Sequence, residues 1–242
     1  MNKLLKFEFR NMFRQKIIYV IVIVMLILLS LMNNTPEGRL EYYHSIGYGI
    51  EDMIVGALTS CYFSSFMAVI ISLIVCRDYE QNVMKNIYGK GYTHNQVYSA
   101  KFICAMLVTA AVCLLTLLVG IVEAVMVFGP SETDIVLIMI AQFVAMLAYS
   151  AFGCMVCAIL KKTGFSILLL VIVPPLGGLL LDQIDVLIPF DFSFGDLWIT
   201  QTMAYIHSGT IDGKEIVLSF ITSFAYIIGC YFIGLRLSRS RS

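Results

Sequence analysis

The sequence predicts an all-α polytopic membrane protein with six transmembrane helices, and three observations lead there. The first is composition: of 242 residues, 60% are hydrophobic and 13% charged, with a mean hydropathy of +0.88. Soluble domains run at about 45–50% apolar and about 25% charged, so a water-soluble globule is excluded, and disorder with it. The second is the spacing of apolar runs. Six approach the roughly 20 residues a crossing helix needs, at about 17–32, 53–76, 102–128, 135–160, 165–181 and 216–235. The third is charge. With the N-terminus inside, segments 1–16, 77–101, 161–162 and 236–242 hold fourteen basic residues and three acidic ones, Glu8, Asp78 and Glu80. The rest of the chain holds two basic residues, Arg39 and Lys214, and thirteen acids. Basic residues gather on the cytoplasmic side, so both termini are expected there. The formal net charge of zero is the cancellation of two opposed faces.

Taken in order, residues 1–16 carry Lys3, Lys6, Arg10 and Arg14 at helical spacing, with Leu5, Phe9, Met12 and Phe13 on other positions. This is a basic amphipathic helix suited to the inner surface of the bilayer. The first span ends in Leu31-Met32-Asn33-Asn34 with no small-x-small cleavage site, so it reads as a retained span and not a signal peptide. The second span carries Gly56, Ser60, Ser64, Ala68 and Ser72 at i+4 spacing. Small residues at this interval let a helix approach closely, either within one subunit or at a subunit interface or pathway.

Segment 77–101 is patterned as a folded hairpin. Tyr79, Val83 and Ile87 repeat at i+4 beside Met84 and Tyr88, which describes a short amphipathic helix. Gly89 and Gly91 close it. Thr93 and Gln96 then match a capping box opening a helix that runs into the third span. Met84, Tyr88 and Tyr92 are expected on its surface, beside Lys85 and Lys90.

No span holds a charge at mid-depth. Glu123 lies 22 residues past Lys101, hence about 33 Å along a helix and near the outer surface. His44, His94 and His207 all fall in loops. An ion-coupled carrier or an intramembrane protease would need such groups within the bilayer; no catalytic or metal-binding constellation is present. The fourth span has a weaker small-residue stripe at Ser150, Cys154 and Ala158, and its Cys154-x-x-Cys157 lacks partner ligands and reads as packing. The fifth span contains Pro174, Pro175, Gly177 and Gly178. The prolines free the carbonyls of Leu170 and Val171, which marks either a kink or a broken helix at a gate. Segment 182–214 is long for a connection. Its Asp191, Asp196 and Trp198 are candidates for an acidic, aromatic outer lip or for interfacial anchoring.

The hairpin motif Asp78, Glu80, Lys85-Asn86-Ile87-Tyr88-Gly89, Thr93 and Lys101 resembles the membrane subunit of type-2 ABC exporters. There a basic elbow helix precedes six spans, and a coupling helix between the second and third docks an ATPase. The likeness covers the whole chain in layout, including the expected broken fifth span and the outer segment before the sixth. His94 or Asn95 stands where the family has a basic residue after the glycine turn. The resemblance implies a bacterial plasma-membrane permease forming a dimer, homo- or heteromeric, with a separate ABC ATPase. ATP and magnesium would sit on that partner, since no Walker A pattern occurs in this chain. The docking surface would comprise Tyr79, Val83, Met84, Lys85, Ile87, Tyr88, Gly89, Lys90 and Tyr92. An amphiphilic substrate (antimicrobial peptide, drug or lipid) suits an uncharged interior; no nucleic-acid partner is expected. The alternatives are a membrane sensor or assembly protein without transport, and an ion-coupled carrier.

Overall fold

In a computed structural model the described residues are 2–33, 58, 61–81, 83–128, 136–187, 198 and 213–240. They are helical almost throughout: α1 (Asn2–Phe13), α2 (Lys16–Asn33), α3 (Cys61–Glu80), α4 (Val83–Gly89), α5 (His94–Phe128), α6 (Val136–Leu160), α7 (Thr163–Leu187) and α8 (Gly213–Ser240). Among these, α5, α6, α7 and α8 are each long and apolar enough to cross a membrane. Counting α1 and α2 as one bent unit adds a fifth. The expected second span begins outside the described residues, at 53–57, so its full length is not described.

α1 and α2 meet at 59° around Arg14 and Gln15. α2 then presents Ile17, Val20, Ile23, Val24, Ile27 and Leu31 outward, an apolar face for lipid. α6 is the central helix and packs on α3, α5, α7 and α8. Most of its buried residues, Ala141, Ala145, Ala148, Ser150, Ala151, Cys154, Cys157 and Ala158, are small, with Gln142, Met146 and Tyr149 the larger ones. Lipid tails are as apolar as leucine, so close backbone approach and dispersion, not hydrophobic burial, hold such helices together. A Cβ on Gly153 would stand 3.2 Å from Ile71 of α3, which measures how close that approach is.

The small-residue stripe of the second span is partly explained by this packing. Ala68 and Ser72 are buried within the chain, and the Ser72 hydroxyl lies 3.5 Å from the Cys157 thiol of α6. These two positions pack inside the subunit and are not open to a second copy. Ser64 is half-buried; Gly56 and Ser60 lie outside the described residues.

The fifth span differs from the broken helix expected of it. α7 runs continuously with Pro174 and Pro175 inside it. The physical reason is visible at the freed carbonyl of Leu170, which accepts a 3.0 Å hydrogen bond from the Tyr149 hydroxyl of α6. A neighbouring helix thus replaces the missing backbone donor, as proline-bearing spans require. α7 also extends to Leu187, so the outer connection begins later than residue 182. Within it, the Trp198 indole N–H donates to the Pro174 carbonyl at 2.6 Å. A Cβ at Gly177 would collide with that ring. Glycine here is a steric requirement of indole docking. Asp191 and Asp196 lie outside the described residues.

Candidate functional site

The hairpin has the local structure its sequence encodes. α4 ends at Gly89, and Gly91 adopts φ +83°, the left-handed conformation in which glycine avoids the Cβ penalty. Its N–H donates to the Tyr88 carbonyl at 2.9 Å. The capping box is closed in both directions: Thr93 N–H donates to Gln96 Oε1 at 3.1 Å, and Gln96 N–H to Thr93 Oγ1 at 3.4 Å. From there α5 continues for 35 residues, about 52 Å. That exceeds the ~30 Å hydrocarbon core and leaves its first turns outside it. His94 packs on Tyr88 with ring centroids 4.1 Å apart.

The apolar stripe of α4 faces inward, which corrects the expectation that Met84 is exposed. Met84 is 6% and Ile87 5% exposed. They pack with Leu4 of α1 and with Val97 and Ala100 of α5, flanked by Val83, Tyr79, Tyr88 and Tyr92. A helix of seven residues has no stability of its own, so its i+3 apolar pair is buried against neighbours. What remains outward is Lys85, Asn86, Gly89 and Lys90. Tyr79, Val83, Tyr88 and Tyr92 are half-buried, so of the nine candidate docking residues only Lys85, Gly89 and Lys90 are fully exposed.

Beside this apolar cluster lies a buried ionic one. Lys101 is 1% exposed and Glu8 4%. The Lys101 ammonium donates to Glu8 Oε2 at 3.3 Å, to the Ile74 carbonyl at 3.4 Å and to Asp78 Oδ2. These use all three of its protons. Asn11 of α1 donates to the other Asp78 oxygen at 3.1 Å. α1, α3 and α5 are therefore joined by one lysine between two carboxylates. Burial raises the Glu8 carboxyl above its ordinary range, although Lys101 opposes the shift. Burial pulls Lys101 down, but Glu8 and Asp78 more than offset this and hold its pKa above the usual lysine value. Glu8 Oε1 is buried with no hydrogen-bond partner among the described residues, in keeping with a carboxyl that resists ionisation.

The end of α3 is the junction of the whole inner face, and successive residues there serve different elements. Asp78 binds α1 and α5. Tyr79 packs with Tyr88 against the α4 cluster and lies under the Lys161 ammonium at 5.5 Å. Glu80 takes the N-terminus of α7, accepting from Thr163 N–H at 2.6 Å and from Thr163 Oγ1 at 2.9 Å; a carboxylate at a helix N-terminus is favoured by the backbone dipoles. The sequence pattern marked Asp78, Glu80 and Lys101 but did not pair them; it counted Glu8 only as an inner-face acid, and it missed Leu4 and Asn11 altogether.

The family model described as ABC-2 family transporter protein matches residues 4–174. These run from the first turn of α1 through the hairpin, α5 and α6 to Pro174. This chain belongs to the ABC-2 transporter family. It is a multi-pass membrane protein and the membrane component of an ABC transporter, and members of its family work with an ABC ATPase. No match to a curated protein was found.

Proposed function

We propose that this ABC-2 protein is the translocation subunit of an ATP-driven exporter, acting as a dimer with separate ATPases that carry ATP and magnesium. The topology is six spans with both termini cytoplasmic in a bacterial plasma membrane. The supporting observation is the outward face of α4, where Lys85, Asn86 and Lys90 stand on a capped helix whose inner face is buried against α1 and α5. A surface loop needs no such support. A helix that receives a push does, because force applied at Lys85 and Lys90 must reach the spans.

In this reading α4 is the coupling helix and α1 the elbow helix. ATP-driven closure of the partner moves α4, and the motion enters α5 directly and α1 through Leu4. The helices then exchange between inward- and outward-facing arrangements. The substrate class is an amphiphile such as an antimicrobial peptide, drug or lipid, because the spans carry no mid-depth charge.

The test is co-purification. Lys85→Glu with Lys90→Glu should abolish recovery of the ATPase with the detergent-solubilised chain while leaving the chain inserted. Failure of the wild-type chain to recover any ATPase sinks the exporter reading. It leaves a sensor or assembly role, or ion-driven transport if flux persists without ATP. Stimulation of the complex's ATP hydrolysis by an amphiphilic peptide, drug or lipid tests the substrate class. No response to any of the three removes it.

A further inference from the structure

The bend between α1 and α2 does more than turn the chain. It opens a cavity of about 450 Å³ lined by Arg14, Gln15, Lys16, Ile17, Leu73, Arg77, Glu80 and Thr163. Three cations, Arg14 from the bend, Lys16 of α2 and Arg77 of α3, share this space with a single carboxylate. That carboxylate is occupied, because both Glu80 oxygens accept bonds from Thr163. No salt bridge to Arg14, Lys16 or Arg77 occurs among the described residues. With three positive charges against one negative, the cavity has a net charge of +2. Like charges gathered in a partly enclosed space repel one another, and an anion relieves that repulsion.

From this the geometry points to a phosphate-binding site at the inner face. Its occupant is the phosphodiester headgroup of an anionic phospholipid from the cytoplasmic leaflet. Two features favour a lipid over a free phosphate. The cavity sits where α2 passes from its charged start at Lys16 to its apolar run, the level at which headgroups lie. Its wall also continues into apolar surface: Ile17 lines the cavity and is 51% exposed, and Val20 and Val24 follow it outward along α2. A headgroup held by the cations would leave its acyl chains along that face. Basic pockets between membrane helices on the cytoplasmic side are suited to anionic headgroups in this way. The site is separate from the α4 surface and does not depend on the ATPase reading.

The experiment uses the full chain in phosphatidylcholine nanodiscs, with and without added phosphatidylglycerol, and with inorganic phosphate in a third arm. Bound lipid is counted by native mass spectrometry and the thermal midpoint is recorded. The wild type should retain phosphatidylglycerol in preference to phosphatidylcholine and gain midpoint from it. Arg14→Gln with Arg77→Gln should lower that preference by about tenfold or more. Arg14→Lys with Arg77→Lys should keep most of it, which guards against misfolding of the neutral variant. The exposed Lys3, Lys6 and Arg10 of α1 remain in both variants, so general attraction to a charged membrane is held constant. A phosphatidylglycerol preference unchanged in the double glutamine variant overturns the site. Full protection by inorganic phosphate in phosphatidylcholine overturns the lipid assignment in favour of a soluble phosphate compound.

Discussion

The inner end of the molecule and its membrane interior are held by different forces. At the inner end, one ammonium between two carboxylates fixes α1, α3 and α5, and an apolar cluster around Leu4 seats α4. Within the bilayer region, α6 meets its neighbours mainly through alanine, glycine, serine and cysteine, with single hydroxyl bonds such as Thr109 to Ser150 at 2.9 Å. The difference follows from solvent. Near water, a charged cluster must be complete, because a lone buried charge is far costlier than a paired one. In lipid, contact distance decides, since hydrophobic surface gains nothing by leaving one apolar medium for another. The inner end is thus built for a single register, and the interior for close approach.

The sharpest way to break this contrast is at Lys101. Lys101→Ala leaves Glu8 and Asp78 facing each other without a cation and should cost about 3–5 kcal/mol, read as the denaturation midpoint of the purified protein. Replacing all three together, by Glu8→Leu, Asp78→Leu and Lys101→Met, should recover most of that stability. If it does, the triad serves register and not net stability. A triple variant as unstable as Lys101→Ala would show that the ionic cluster is itself a major source of stability.

The interior is tested by overpacking. Gly153→Ala places a methyl against Ile71 and should cost about 1–3 kcal/mol, read by the same midpoint. At the inner end Gly234→Ala, where a Cβ would collide with the buried Tyr98 side chain of α5, should cost at least as much. Equality of these variants with wild type would show that the helices do not approach as closely as described. Next in size is Gly91→Ala. Space is open around Gly91, but its φ of +83° should cost about 1–2 kcal/mol through the left-handed backbone alone. ATP-coupled function should suffer more than global stability. Tyr149→Phe should cost least, about 0.6 kcal/mol for one interhelical hydrogen bond, and its effect should shrink in a Pro174→Ala background, where the helix supplies its own donor to Leu170 and only the 3.2 Å bond to the Ser64 carbonyl of α3 depends on the hydroxyl.

The ionic cluster also carries a pH signature. Because Glu8 has its folded-state pKa raised, its contribution to stability is full below the ordinary carboxylate value and is lost as pH rises through the raised value. Glu8→Gln should flatten that decline in a midpoint-against-pH series. An unchanged slope would place the titration elsewhere.

Much of this was legible in the sequence wherever one residue type decides its own surroundings. Gly91 and the pair Thr93 and Gln96 encode a local turn and cap, and those form as their spacing predicts. α5, α6, α7 and α8 each contain an apolar run, although α5, α7 and α8 extend beyond theirs. What the pattern missed is pairing across the fold. An i+4 stripe says that Met84 and Ile87 share a face of α4, but not that Leu4, some eighty residues earlier in the chain, covers it. Two prolines say that carbonyls are freed, but not that Tyr149 stands opposite one of them. One signal was available. Only three acids fall among fourteen basic residues on the expected inner face, and all three, Glu8, Asp78 and Glu80, hold helices together. Acids retained against such a bias invite a search for partners.

The unbroken course of α5 has a mechanical consequence. It contains no proline and one glycine, Gly120, so it turns as a rigid rod, whereas α7 concentrates Pro174, Pro175, Gly177 and Gly178 in a single stretch. Lys101 clamps the rod off-centre, about 10 Å from His94 and about 40 Å from Phe128 at 1.5 Å per residue. A rod swinging on that fulcrum is a lever with an arm ratio of about four, so each ångström of push on the hairpin becomes roughly four at the far tip.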